Sequence, residues 1–174
     1  MWYVIQTLGG QEERTVNMIR KLICPSRMEA CFVPKRERLK KFQGCWHKVE
    51  EILFPGYVFG ITSRPEELYQ DLRRIPKFNR LLGREGEYFV PLNDEEEALV
   101  KKLGNEDHRT EISKVEVLEG KRIRVVEGPL KDYMADVVKV NLHKREVAVE
   151  VEFMGRPMEL YMGIEMVEAG DSGP

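Results

Sequence analysis

The stretch Leu53-Phe54-Pro55-Gly56-Tyr57-Val58-Phe59 decides how the chain is read, because it sets a Pro-Gly pair inside a run of strand-forming apolar residues. Proline offers no N–H to a sheet ladder and glycine brings no side chain to pack. The pair therefore belongs at an edge, a bulge or a close backbone approach. Two readings stay open on these residues alone. One is a core strand with a bend in it. The other is a rigid bend that turns Phe54 or Tyr57 to the surface as an aromatic anchor for a partner.

On the N-terminal side of the motif, residues 2 to 8 read as a strand ending at Gly9-Gly10. Over 11–23, Val16, Met18, Ile19, Leu22 and Ile23 recur at helical spacing opposite Glu12, Glu13, Arg14, Arg20 and Lys21, and Pro25 follows. Strand signal returns over 30–33. Gln43-Gly44 marks a hairpin tip after the charged run 35–41, and Trp46 to Ile61 reads as one long strand carrying the motif. On the C-terminal side, Arg64-Pro65-Glu66-Glu67 opens a helix with Leu68, Leu72 and Ile75 on one face. A short strand over 78–82 and a turn over 83–86 follow. Asn93 then caps a third helix whose acidic first turn and closing Lys101-Lys102-Leu103-Gly104 complement the helix dipole. The order β-α-β-β-α-β with a trailing helix predicts an α+β domain over 1–104, helices packed on an antiparallel sheet.

Residues 105–117 lose periodicity and read as a linker. Beyond it come short alternating segments at 121–126, 136–141, 147–153, 158–162 and 164–167, separated by Gly128-Pro129, Lys144-Arg145, Gly155-Arg156-Pro157 and Gly163. They predict a small five-stranded β-barrel over 118–168, with a frayed tail over 169–174.

The 174 residues suffice for such a pair of domains. Basic and acidic residues number 18 and 15 over 1–104, and 8 and 10 over 119–168, so neither part is a basic polyelectrolyte. Any nucleic-acid contact must come from local patches. The odd set Cys24, Cys31 and Cys45 makes no disulfide framework and points to a reducing compartment, the cytoplasm. Cys31, Cys45 and His47 lack the paired spacing of a structural zinc site, so no metal is expected. No signal peptide opens the chain, and no apolar run approaches the ~20 residues that span a bilayer. The chemistry of an enzyme is missing too. His47, His108 and His143 lie far apart, no nucleophile elbow or metalloprotease motif occurs, and Glu50-Glu51 in a strand point to opposite faces. Neither a catalytic residue nor a cofactor is predicted.

Two basic clusters remain. Lys35, Arg36, Arg38, Lys40 and Lys41 sit on the hairpin arm with only Glu37 to offset them, suited either to phosphates or to keeping the arm solvated. In the barrel, Lys131, Lys139, His143, Lys144, Arg145 and Arg156 fall in or beside turns, and turns gathered at one rim make a nucleic-acid site.

Three separated motifs, in order, resemble the NusG family of transcription elongation factors: Trp2-Tyr3-Val4 with Gly9-Gly10, the Leu53 to Phe59 segment, and Gly120-Lys121-Arg122-Ile123-Arg124-Val125 with Gly128-Pro129-Leu130 and Phe153-Met154-Gly155-Arg156. The resemblance implies a NusG N-terminal (NGN) domain and a KOW domain. It implies that Trp2, Tyr3, Phe54, Pro55, Gly56 and Tyr57 form an apolar cup for the clamp helices of RNA polymerase. The barrel departs from the general pattern at Met134-Ala135-Asp136, and its tail is more similar to specialised paralogues of the LoaP antiterminator type. That similarity implies a monomeric antiterminator whose KOW domain recognises an RNA hairpin in a leader transcript. Two alternatives stand beside it: a general factor whose loop over 153–156 meets Rho or the ribosome, and a paralogue that reads non-template DNA through the 35–41 arm.

Overall fold

The computed structural model describes residues 1–75 and 89–168. The strand and turn expected over 78–86 lie outside them. The chain divides into two compact units, one of Met1–Pro34 with Phe54–Leu99, the other of Lys35–Leu53 with Val100–Pro174.

In the first unit, β1 (Trp2–Gln6), α1 (Glu12–Leu22), β2 (Ala30–Phe32), β5 (Tyr57–Ile61), α2 (Pro65–Arg73) and β6 (Phe89–Pro91) build a four-stranded antiparallel sheet in the order β2-β5-β1-β6, with helices alongside. Helix α1 forms where Val16 and Ile19 give it an apolar stripe; both are buried, and α1 lies against β2 and β5. Its charges run acidic to basic, favourably for the dipole. Helix α2 starts with Pro65 and buries Leu68 and Leu72 completely. Helix α3 (Asp94–Leu103) opens on a capping box: the Glu96 N–H donates to Asn93 Oδ1 at 2.8 Å, and the Asn93 N–H donates to Glu96 Oε2 at 3.0 Å.

The 46–61 segment is not one strand. The ladder of β4 (Cys45–Ile52) ends before the Pro-Gly pair, and β5 begins after it in another sheet. Between them the Tyr57 N–H donates to the Phe54 carbonyl at 3.2 Å, with Pro55 and Gly56 at the two central positions and Gly56 at φ +85°. That is the type II turn, in which proline presets the first corner and glycine takes the left-handed second. A pair that damages a strand interior is well placed immediately before a central one.

In the second unit, β3 (Lys35–Phe42) and β4 form a hairpin in unbroken register from Lys35↔Ile52 to Phe42↔Cys45. Gln43 and Gly44, both at positive φ, close it as a two-residue turn whose twist matches the strands. β7 (Arg109–Thr110) runs parallel to β3. β8 (Ser113–Val117), β9 (Ile123–Glu127), β10 (Val137–Asn141), β11 (Glu146–Phe153) and β12 (Arg156–Met166) make a curled five-stranded sheet in the order β10-β11-β12-β8-β9. Val115, Leu130, Val149, Phe153, Leu160, Met162 and Ile164 fill its interior.

The five strands are present, with two corrections to their limits. The polar segment expected to be a linker supplies β7 and β8, and β8 is held between β9 and β12. Conversely, the two last expected strands are one, because Gly163 sits inside β12 and does not break it. A Cβ there would run into the Glu37 carbonyl oxygen and lie 2.9 Å from Arg38 Cα. The glycine thus marks close approach of β12 to the backbone of β3 rather than a turn.

Candidate nucleic-acid interface

The hairpin alternates, so its cations do not share a fate. Arg36 is buried: its Nη2 donates to Glu51 Oε2 at 2.7 Å and its Nη1 to Glu146 Oε2 at 3.1 Å. Arg38 Nη1 lies 3.4 Å from Glu51 Oε1 and 3.5 Å from Glu146 Oε2, while its Nη2 donates to the Lys144 carbonyl at 3.1 Å. Two arginines and two carboxylates compensate each other, which makes this cluster a structural joint between the hairpin and the β10–β11 turn. Arg36 is therefore spent on the fold, contrary to its expected place among the phosphate contacts. Lys35 lies at the opposite end of β3, where its N–H donates to the His108 carbonyl.

Toward the hairpin tip the charges open outward. Arg38, Lys40, Lys41 and Trp46 from the hairpin, with Leu142, His143, Lys144 and Arg145 from the β10–β11 turn, line one cleft of about 600 Å³. The turn is held by its own polar groups: the Lys144 N–H donates to Asn141 Oδ1 at 3.0 Å, and Arg145, at φ 56°, passes its carbonyl to the Ile164 N–H at 3.0 Å. The Arg145 guanidinium stands 4.8 Å from the Trp46 ring centroid, and Lys41 Nζ 5.8 Å from it. Phe42, also exposed, stacks on His47 at 3.8 Å. Among the described residues no carboxylate lines this cleft.

The barrel's basic residues do not all meet at one rim. His143, Lys144 and Arg145 enter the cleft, and Lys139 lines an adjoining depression of about 340 Å³ with Arg36, Lys144 and Tyr161. Lys139 also reaches Glu159 at 3.4 Å. Arg156 pairs with Phe153 at the far end of the β11–β12 ladder from the 142–145 turn, because successive hairpin turns fall at opposite ends of their shared strand. Lys131 belongs to the 3₁₀ segment Pro129–Asp136. Trp46 was legible as a site residue only through register: Lys41 and Trp46 face each other across the two-residue tip.

The apolar set lies elsewhere, in the first unit. Trp2, Tyr3, Phe54 and Tyr57 are 9%, 6%, 0% and 5% exposed, and of the motif only Pro55 is exposed, with Gly56 half-buried. The bend therefore does not turn Phe54 or Tyr57 to the surface, contrary to the anchor expectation. Trp2 meets Phe32 edge-on at 5.3 Å, Phe32 stacks on Phe59 at 5.8 Å, and Phe59 meets Phe54 at 5.4 Å, so the aromatics make a continuous core. Their burial is what the even mixture of sequence readings left undecided.

Among the described residues no group of three or more His, Cys, Asp or Glu side chains is arranged to hold a metal, and no helix is long and apolar enough to cross a membrane. Burial pushes the Cys31 thiol up to about 12, whereas the Ser26 hydroxyl beside the exposed Cys24 lowers that thiol.

These features define an α+β protein with a helix-backed antiparallel sheet, a small curled five-stranded sheet, and its exposed chemistry on basic turns. A family model described as transcription termination factor NusG matches residues 1–103. NusG, the transcription termination/antitermination protein, is 30% identical in Haemophilus influenzae over 93% of this chain and 91% of that one, and 30% identical in Thermus thermophilus over 91% and 94%. The Buchnera aphidicola protein is 28% identical over 96% and 94%. A solved structure concerned with domain interaction in Thermotoga maritima NusG superposes with a TM-score of 0.53 at 23% identity, over 93% of this chain and 92% of that one, which shows a shared fold. The chain belongs to the NusG family, as a transcription termination/antitermination factor of that type.

Proposed function

We propose that the protein is a specialised NusG-type elongation factor that rides on RNA polymerase and promotes processive antitermination after its C-terminal sheet takes hold of an RNA hairpin in a leader transcript. It acts as an adaptor and carries no catalytic step. The observation that carries the RNA half is the meeting of His143, Lys144 and Arg145 with Lys40 and Lys41 around one cleft with no carboxylate among its described lining residues. Local density of cations, rather than net charge, is what a protein of formal charge −2 must use to hold phosphates.

The polymerase half rests on the apolar segment. Pro55 is open to the surface, so a helix tip reaches it directly. It reaches Trp2, Tyr3, Phe54 and Tyr57 only where that aromatic face is uncovered. The rival reading, a general factor that binds Rho or the ribosome through the 153–156 loop, has less to use, since Phe153 is wholly buried and only residues 154–156 remain accessible. A paralogue recruited through non-template DNA would use the same hairpin cations.

A binding comparison separates the three. Full-length protein is titrated with leader RNA hairpins, with single-stranded DNA, and with Rho and ribosomes in pull-down. Tight hairpin binding, weakened at least tenfold by Lys144→Ala with Arg145→Ala, supports the antiterminator. Binding confined to Rho or ribosomes, or to DNA, replaces it with the corresponding alternative.

A further inference from the structure

The cleft at the hairpin tip holds more than charge. Trp46 is 38% exposed, a large fraction for an indole, and it stands within the cation-lined space. Arg145 Nη1 and Arg38 Nε are buried and have no hydrogen-bond partner among the described residues. Buried donors without acceptors are rare in folded proteins, and a guanidinium is the side chain best shaped to meet a phosphate or the edge of a base. Both arginines line the one cleft together with Lys40, Lys41 and Lys144, and that set of cations suits an anionic or carbonyl-rich ligand. The volume of about 600 Å³ falls in the ~300–1,000 Å³ range of compact ligand sites.

The aromatic decides which form of nucleic acid fits. In a duplex every base is stacked on its neighbours and its face is closed to an indole, so a double-stranded stem offers the cleft phosphates only. An unpaired base offers a free π-face, and stacking on an aromatic in a basic groove is how single strands are held. We propose that this composite cleft binds unpaired RNA, with one base stacked on Trp46, Arg145 closing the stack, and the flanking phosphates held by Lys40, Lys41 and Lys144. The inference rests on the RNA reading above and sharpens it in two respects. The recognised part of the hairpin is its loop, and half of the site belongs to the β3–β4 arm.

The test uses full-length protein and fluorescence anisotropy with four probes: a hairpin carrying an unpaired loop, the same stem as a blunt duplex, the loop sequence as a single-stranded oligoribonucleotide about ten nucleotides long, and its DNA copy. The loop-bearing hairpin and the oligoribonucleotide bind, the duplex binds much more weakly, and Trp46 emission is quenched on binding. Trp46→Ala weakens binding about 5- to 150-fold with the salt slope unchanged, the size expected for one stacked base. Trp46→Phe keeps most of the affinity, which guards against a merely structural loss. Lys41→Ala lowers the slope of log affinity against log salt by about 0.7, the value for one single-strand phosphate. Hairpin binding that survives Trp46→Ala unchanged overturns the cleft while leaving the RNA reading intact. Equal affinity for the blunt duplex overturns the choice of unpaired strand, and tighter binding of the DNA copy overturns the choice of RNA. No binding of any RNA by the wild type overturns the RNA reading itself.

Discussion

The Glu12 carboxylate holds the Gly56 amide: Oε1 accepts the Gly56 N–H at 2.8 Å across 44 residues of sequence, and the same oxygen accepts the Gly10 N–H at 3.1 Å. Glu12 is only 1% exposed. One buried oxygen thus ties the turn after β1 to the turn before β5, while the Thr7 N–H donates to the Gly56 carbonyl at 2.8 Å from the other side. The Pro-Gly corner is fixed by the first turn of α1.

Glu12→Ala removes an acceptor shared by the part-buried Gly10 and Gly56 amides, at about 1 kcal/mol. For a chain of this length that is a fall in Tm of about 2–4 °C per kcal/mol. Glu12→Gln keeps a carbonyl oxygen and loses less. Thermal melting of the two variants checks the order, and a smaller loss for Ala than for Gln would contradict it.

Phe54→Ala and Pro55→Ala separate core from surface within one turn. Phe54 is fully buried, so its truncation costs about 3–5 kcal/mol and lowers stability before it says anything of a partner. Pro55 is exposed, and its replacement costs only the turn's preset corner, about 0.4–1 kcal/mol, while weakening association with RNA polymerase in pull-down. Loss of association only in variants that also unfold would remove the segment from the polymerase contact.

Gly163→Ala puts a methyl against the Glu37 carbonyl, where backbone faces backbone and no flexible side chain can yield. The expected result is destabilisation of at least 1 kcal/mol by urea unfolding, overpacking costing about 1–3 kcal/mol. Weaker nucleic-acid binding follows, because β12 supports the hairpin wall of the cleft. Gly9→Ala, where nothing lies within 4 Å of the added carbon, is the neutral control.

The thiols report the fold directly. Cys24 and Cys45 are exposed and react with a thiol reagent in the native protein, Cys24 more readily as its pKa is lowered by Ser26. Cys31, raised to about 12 by burial, is protected until the protein unfolds. A thiol whose folded pKa lies above its unfolded value contributes stability that is complete below the ordinary thiol range and is lost as pH rises toward about 12. Cys31→Ala flattens that alkaline loss, measured as Tm against pH.

Much of this architecture was written in local signals. The stripe of Val16 and Ile19, the Asn93 cap, Pro65 at a helix start and the Gln43-Gly44 tip each act within a few residues, and each lies where the sequence puts it. The failures are all non-local. Gly163 reads as a breaker unless one knows that β3 passes beside it, and residues 113–117 read as linker unless β9 and β12 are there to pair with them. Arg36 reads as a free cation because its partners Glu51 and Glu146 are distant in sequence. The cleft was legible as two basic runs, but not as one place, since only the tertiary fold brings Lys41 and Arg145 to the same indole.

The joint from Arg36 to Glu146 spans 110 residues of chain, and that from Arg38 to Lys144 spans 106. At bacterial-type elongation speeds of about 5–20 residues per second, the hairpin waits roughly 5–20 s on the ribosome before its second wall is even synthesised. During that interval Arg36 has only Glu51 as a carboxylate partner, and Trp46 stands without the Arg145 cation. A chain that ends before the β10–β11 turn carries the hairpin's Lys40, Lys41 and Trp46 but not the His143, Lys144 and Arg145 that line the cleft with them.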